Sequence, residues 1–285
     1  MRTRRKPATT PTLAALLAFV LTGACAQSEP ATPAGLPLWE VGVLGVAVSQ
    51  QAYPGASQQR TGVGVLPYFI YRGEWLRVER DTLGVRAVET PRYKLDIGFS
   101  GSLGSSAANL TARQGMPNLG TLVEFGPRLR VELTPAEQRT YGRWRLDLPV
   151  RGVFDLSDRL KHRGVGFEPK LVLDRRLNPR LTYSASVSTL IGDQRLNDTF
   201  YGVNPAYATA TRPAYQARSG LVALRAGVSA QYHINPDWQL FTYARVESVA
   251  GAANRQSPLI QRGTGPTVGI GLNHTLTRSA TTASD

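Results

Sequence analysis

The sequence predicts an all-β protein: a transmembrane antiparallel up-and-down β-barrel of about 12 strands. Three observations predict it. Hydropathy alternates with period two over long runs, several of them roughly ten to fifteen residues against a usual strand mode of about five or six. A tilted strand needs about 9–11 residues to cross a bilayer. The connections alternate between tight turns and long loops, the asymmetry of outer-membrane barrels. The tryptophans fall at the starts of alternate runs. A β-sandwich also alternates, but it has no reason to place its indoles at one end.

Composition sets the frame. The chain has 285 residues, with 33 Lys plus Arg against 20 Asp plus Glu and a formal charge of +13. At 42% hydrophobic it is too apolar for disorder. A single Cys excludes an internal disulfide framework and any Cys-built zinc site, and three His leave little for a His-built one.

The first 26 residues read as a secretory signal: a basic start (Arg2, Arg4, Arg5, Lys6), an apolar Leu13 to Leu21, and Ala24-Cys25-Ala26 as the cleavage site. Nine apolar residues are too few to cross roughly 30 Å of hydrocarbon as a helix. A lipoprotein signal ending at Cys25 ranks second, because Thr22 stands where such a signal prefers Leu. Residues 27–37 are then a linker, 38–276 the barrel and 277–285 a polar tail whose Ser, Thr and Ala content predicts disorder. No later stretch approaches 18 consecutive apolar residues, and none holds a capped helical period.

Twelve segments alternate: about 38–48, 61–71, 75–80, 84–90, 93–103, 119–133, 141–153, 165–175, 180–190, 219–232, 238–248 and 266–276. Tyr93, Leu95, Ile97 and Phe99 share one face, and Lys94 and Asp96 the other. Leu119, Thr121, Val123, Phe125, Leu129, Val131 and Leu133 oppose Glu124, Arg128, Arg130 and Glu132. Trp144, Leu146, Leu148 and Val150 oppose Arg143, Arg145, Asp147 and Arg151. The runs at 219–232 and 238–248 set Arg225 and Arg245 against Val, Leu and Ala. The pair 75–80 and 84–90 is short and lacks a clean apolar face; it forms a low hairpin or drops out, leaving about ten strands. Elsewhere a one-residue slip would put Arg128 and Arg130 in lipid, at roughly 2–4 kcal/mol each near the midplane, so register is well specified.

With the N-terminus in the periplasm, every odd strand starts there. Trp39, Trp75, Trp144 and Trp238, with Tyr93 and Tyr183, would then form a periplasmic aromatic girdle. The long loops, about 50–60, 104–118, 191–218 and 250–265, would lie outside.

One resemblance covers almost the whole chain after the signal. Trp39-Glu40, Tyr53-Pro54-Gly55 and the strand end Leu66 to Gly73 resemble the opening of the MipA/OmpV family (MltA-interacting protein family). Gly115-Met116-Pro117 with Gly126-Pro127, Phe200-Tyr201-Gly202-Val203 with Arg212-Pro213-Ala214-Tyr215, and Ser257-Pro258-Leu259 resemble its later blocks. The chain departs from the pattern at its end, where Leu276 replaces the aromatic residue that assembly machinery reads. The resemblance implies the outer membrane of a Gram-negative bacterium. It also implies a scaffold joining a lytic transglycosylase to a murein synthase; other members are described as porin-like or adhesin-like.

Little in the sequence suggests catalysis. No catalytic, cofactor-binding or metal site is expected. His274 shares parity with Leu272 and Leu276, so it faces outward; Ser229 or Ser248 would reach it only through a fortunate register. Gly62-x-Gly64 and Gly269-x-Gly271 precede no helix, so they mark bends or close packing rather than phosphate loops. An exported barrel makes nucleic acid an unsuitable partner for the basic excess. The expected lumen lining is Lys94, Asp96, Glu124, Arg128, Arg130, Arg143, Arg145, Asp147, Glu168, Lys170, Arg225 and Arg245. Two readings follow: cross-strand ion pairs that fill the lumen, or a narrow anion-favouring path. Filling is preferred, because long side chains of both signs close a small barrel. Loop cations Arg159, Lys161, Arg163, Arg212 and Arg218 would meet lipopolysaccharide phosphates. The loop 191–218 either folds into the lumen or presents an outer surface.

Overall fold

The computed structural model describes residues 35–72, 76–79, 82–85, 88–102 and 104–283. The signal segment 1–26, linker residues 27–34 and Trp75 lie outside the described residues.

Strands in chain order are β1 (Trp39–Gln51), β2 (Gln59–Arg72), β3 (Leu76–Glu79), β4 (Thr82–Val85), β5 (Val88–Glu89), β6 (Tyr93–Ser102), β7 (Leu122–Glu132), β8 (Arg143–Asp155), β9 (Lys161–Phe167), β10 (Lys170–Asn178), β11 (Leu181–Gly192), β12 (Gly220–His233), β13 (Trp238–Ser248) and β14 (Thr264–Arg278). They form a single antiparallel sheet that closes on itself. β14 pairs with β1, and β8 pairs with both β9 and β10. One ring replaces the two stacked sheets of a sandwich.

The fourteen segments make 12 antiparallel strands. β9 and β10 are one strand broken at Glu168-Pro169, where proline has no N–H to donate. The ladder still bridges the break, because Glu168 N–H donates to the Pro149 carbonyl at 3.2 Å and Thr189 N–H to the Pro169 carbonyl at 3.2 Å. β4 and β5 both pair with β6. The short hairpin therefore belongs to the ring, which excludes the ten-strand count. Among the described residues it meets β2 at Tyr71↔Val78 and Arg72↔Arg77, near the rim that holds Leu36 and Ala283.

The wall is apolar outside and, over much of its circumference, polar inside. Val65 is 67% exposed and Val228 59%, whereas Arg145 is 1% exposed. Burying guanidinium groups while exposing valines is favourable only when hydrocarbon surrounds the ring and each inner charge finds a partner. No described helix is long and apolar enough to cross a membrane.

Four local expectations are corrected. Leu119 leaves the outward face of β7 and is buried among the loops, in a bridge to Ser105. Lys161, His162 and Arg163 belong to strand β9 rather than to a loop, because hairpin β8–β9 extends beyond the ring. An eight-residue helix α1 (Gln194–Tyr201) occupies the longest loop; the Asp193 carboxylate caps it, accepting from Leu196 N–H at 2.8 Å. At the other rim β14 runs two residues past Leu276, and residues beyond it keep pairing: Leu38 N–H donates to Thr281 O and Ala283 N–H to Leu36 O, both at 2.8 Å. Backbone partners on residues 36–38 order a tail whose side chains alone predict disorder.

Candidate functional site

The interior has three levels. The level nearest the termini is an ion-pair floor. Asp96 on β6 opposes Arg128 on β7, which donates through Nε at 2.8 Å and a terminal nitrogen at 2.9 Å. Arg130 on β7 opposes Asp147 on β8, 3.3 Å apart. Arg145 sits between Asp147 and Asp174, with Nε donating to Asp174 at 2.9 Å. Ser184 Oγ donates to the other Asp174 oxygen at 2.6 Å. Arg143 lies 3.5 Å from Glu132 and 3.6 Å from Asp174. Apart from Arg145 and Asp147, which are two residues apart on β8, the partners sit on neighbouring strands, so antiparallel register brings most of the cluster together.

The opposite wall departs from the expected ionic interior. Val46, Val48, Leu66, Ile70, Phe241 and Tyr243 face inward and are buried. Rings there lie against glycines of neighbouring strands; a Cβ on Gly269 would fall 2.1 Å from Tyr243 Cε1. Gly269-x-Gly271 thus marks close packing, as its spacing suggests.

Above the floor lies a chamber of about 150 Å³. Arg151 approaches Glu124 and Glu168, each at 3.3 Å. Arg225 pairs with Glu168 at 2.9 Å and with Glu247. Lys170, Arg245 and the serines of β11 complete that side.

The third level is a cap built from all four long loops. Leu196 and Phe200 of α1, with Tyr53, roof the chamber. Over them pack Leu110, Tyr201, Leu259 and Ala56, each 0% exposed. Hydrogen bonds link the loops. Tyr53 Oη donates to Leu259 O at 2.7 Å, and Ser257 Oγ to Tyr201 O at 2.7 Å. Asn254 Nδ2 donates to Asn197 Oδ1 at 2.9 Å. Helix α1 rests on β9 at Gly164 (φ 123°), where a Cβ would fall 2.3 Å from Asp193 Oδ1. Arg212 donates to the carbonyls of Ala112 at 3.0 Å and Gln114 at 2.9 Å. It staples the two loops together.

Burial governs ionisation in the cap. It pushes the Tyr53 hydroxyl up to about 12, with the Arg113 guanidinium opposing. It draws Arg113 down to about 10, which Tyr53 resists and Arg212 reinforces. Tyr201 is likewise raised, chiefly by burial.

The other sequence-derived residues are placed as follows. Lys94, Glu124, Glu168 and Lys170 lie on or beside the inner face, only partly exposed. Trp39, Tyr93, Trp144, Tyr183 and Trp238 lie in the first three residues of β1, β6, β8, β11 and β13, which all start at one rim. His274 stacks on Trp238, ring centroids 4.1 Å apart. Register sets Ser248 against Thr264, ten residues along β14 from His274, and Ser229 against Tyr243. No Ser–His pair forms there. Sequence reasoning missed the cap core and α1; Asp193 ahead of Leu196, with Gly202 behind, was the available helix signal.

A closed antiparallel ring with a lipid-compatible exterior and a filled interior defines an outer-membrane β-barrel protein of a Gram-negative envelope. The family described as MltA-interacting protein MipA matches residues 41–276, and the chain belongs to it. No curated protein matches the chain. Among solved structures it is similar to the translocator domain of autotransporter NalP from Neisseria meningitidis: TM-score 0.45, 14% identity, covering 91% of this chain and 92% of that one. It is also similar to outer membrane phospholipase A from Escherichia coli: TM-score 0.33, 13% identity, 90% and 97% covered. A Pseudomonas aeruginosa FadL homologue follows: TM-score 0.27, 9% identity, 84% and 90% covered. At these scores the fold rests on the strand register described above.

Proposed function

We propose that this barrel is a non-catalytic envelope scaffold whose periplasmic turns dock a murein transglycosylase, and through it a murein synthase. The obstructed lumen carries the reading. An ion-paired floor and a hydrogen-bonded apolar cap narrow the lumen at both ends of the chamber, which argues against a solute pore and leaves the rims as working surfaces. The family's description as MltA-interacting supports the transglycosylase as partner. The rim that carries the termini is basic: Arg92, Arg139, Arg175, Arg176 and Arg180 are exposed there. Such a rim suits an acidic protein face. On the opposite rim, Arg159, Lys161 and Arg218 remain exposed and would meet lipopolysaccharide phosphates.

The test is affinity capture of the tagged barrel from membranes in mild detergent. Capture is expected to recover a lytic transglycosylase and a murein synthase, weakened when Arg175, Arg176 and Arg180 are replaced by Ser. Reproducible absence of both enzymes, while other envelope complexes survive, discards the scaffold. Steady single-channel conductance in planar bilayers would favour the pore instead.

A further inference from the structure

We propose that the chamber beneath the cap binds a small carboxylate anion, held by Arg245 and Arg151. Charge is the first argument. Four cations line the chamber, Arg151, Lys170, Arg225 and Arg245, against three acids, Glu124, Glu168 and Glu247. Arg151 engages Glu124 and Glu168, and Arg225 engages Glu168 and Glu247. The chamber's carboxylates are thus shared between two guanidiniums, and Arg245 forms no ion pair among the described residues. An unpaired guanidinium inside a barrel is costly unless a counter-ion joins it.

The second argument is hydrogen bonding. The Nε–H donors of Arg151 and Arg245 are buried and have no hydrogen-bond partner among the described residues. Gly227 on β12 faces Arg245, whose stem passes 3.5 Å from where a Cβ would stand. Two orphan guanidinium donors fit a planar carboxylate.

Size and lining give the third argument. About 150 Å³ is the volume of a cavity that holds a benzene-sized molecule. Leu196 and Phe200 of the roof and Val172 of the wall offer apolar surface, and Ser186 and Ser229 add hydroxyls. The fitting ligand is a monocarboxylate with a compact apolar body, admitted when the cap loosens.

The test is calorimetric titration of the full folded barrel in detergent with sodium benzoate, benzyl alcohol and inorganic phosphate. Benzoate is expected to bind saturably at one site and the neutral alcohol not to bind. Arg245→Gln should weaken benzoate at least tenfold, and Arg245→Lys only a few-fold. Ser186→Leu, which keeps every charge but fills the space, should abolish binding and covers the case in which R245Q fails to fold. The proposal is overturned if wild type ignores benzoate, if R245Q or S186L binds it as tightly, or if benzyl alcohol binds as well as benzoate. Phosphate binding more tightly than benzoate overturns the carboxylate assignment.

Discussion

The floor and the cap close the same tube by opposite means. The floor joins charged side chains that sit opposite or diagonal to one another on neighbouring strands, or two residues apart on β8, with Arg145 central among them. The cap joins four loops distant in sequence through apolar contacts and side-chain-to-backbone bonds; Tyr53 reaches Leu259 across 206 positions. The contrast teaches where each force is effective. Inside the ring, strand geometry already supplies partners, so charges can be buried in pairs. Above it no ladder exists, and loops become ordered only by forming a small core of their own.

The largest effect should come from breaking the floor. Arg145→Ala removes the cation that Asp147 and Asp174 share, leaving them Arg130, Arg143 and Ser184, at a cost of about 3 kcal/mol, the lower end for a broken buried pair. Denaturant unfolding in detergent micelles, followed by tryptophan fluorescence, would measure it. A loss under 1 kcal/mol would mean that water, not arginine, compensates those acids.

The cap should fail locally. Leu259→Ala removes a side chain that is 0% exposed, and such truncations cost about 2–5 kcal/mol. Here the loss should loosen the loops while the ring survives. Limited proteolysis would cut near residues 104–118 and 191–218, with strand circular dichroism unchanged. Global unfolding at the wild-type midpoint with no new cleavage would deny the cap its separate core.

Alkali should separate the two regions further. Tyr53 rises from 10.0 to about 12 on folding. The folded state keeps that proton longer, so its contribution is complete below pH 10 and is lost as pH climbs toward 12, about 2–3 kcal/mol. Arg113, drawn down to about 10, has the opposite sign: the unfolded chain holds more protons above that pH, so folding gains. The difference between wild type and Tyr53→Phe isolates the tyrosine. Loop proteolysis should accelerate between pH 10 and 12 in wild type more than in the variant; equal profiles would remove Tyr53 as the cause.

The smallest effect belongs to the exposed pair Arg278–Asp237, with side chains 37% and 53% exposed. Asp237→Ala should cost under about 1 kcal/mol and fade with salt. A larger loss in the same unfolding assay would show that the terminal seam depends on it.

What was legible in the sequence follows the same division. Asp96 and Arg128 could be assigned to the lumen because period two is a local signal and antiparallel pairing then brings them together. The strands β1 and β2 were legible as strands, but with valine, leucine and glycine on both faces their inner apolar wall leaves no alternation to read. The run 165–175 was legible across Glu168-Pro169, but residues 161–164 were not, because the charged stretch Arg159 to Arg163 has the composition of a loop. In the cap, Leu119, Tyr201 and Ser257 meet through long-range packing that has no period, and α1 is too short to display one.

The seam between the first and last strands has a consequence for biogenesis. Leu38 N–H reaches the Ser279 hydroxyl, 241 positions along the chain. The cylinder therefore stays unshut until its final segment has crossed the inner membrane. Until then every intermediate carries two raw hydrogen-bonding edges, which escorts in the periplasm must shield from one another and from neighbouring chains.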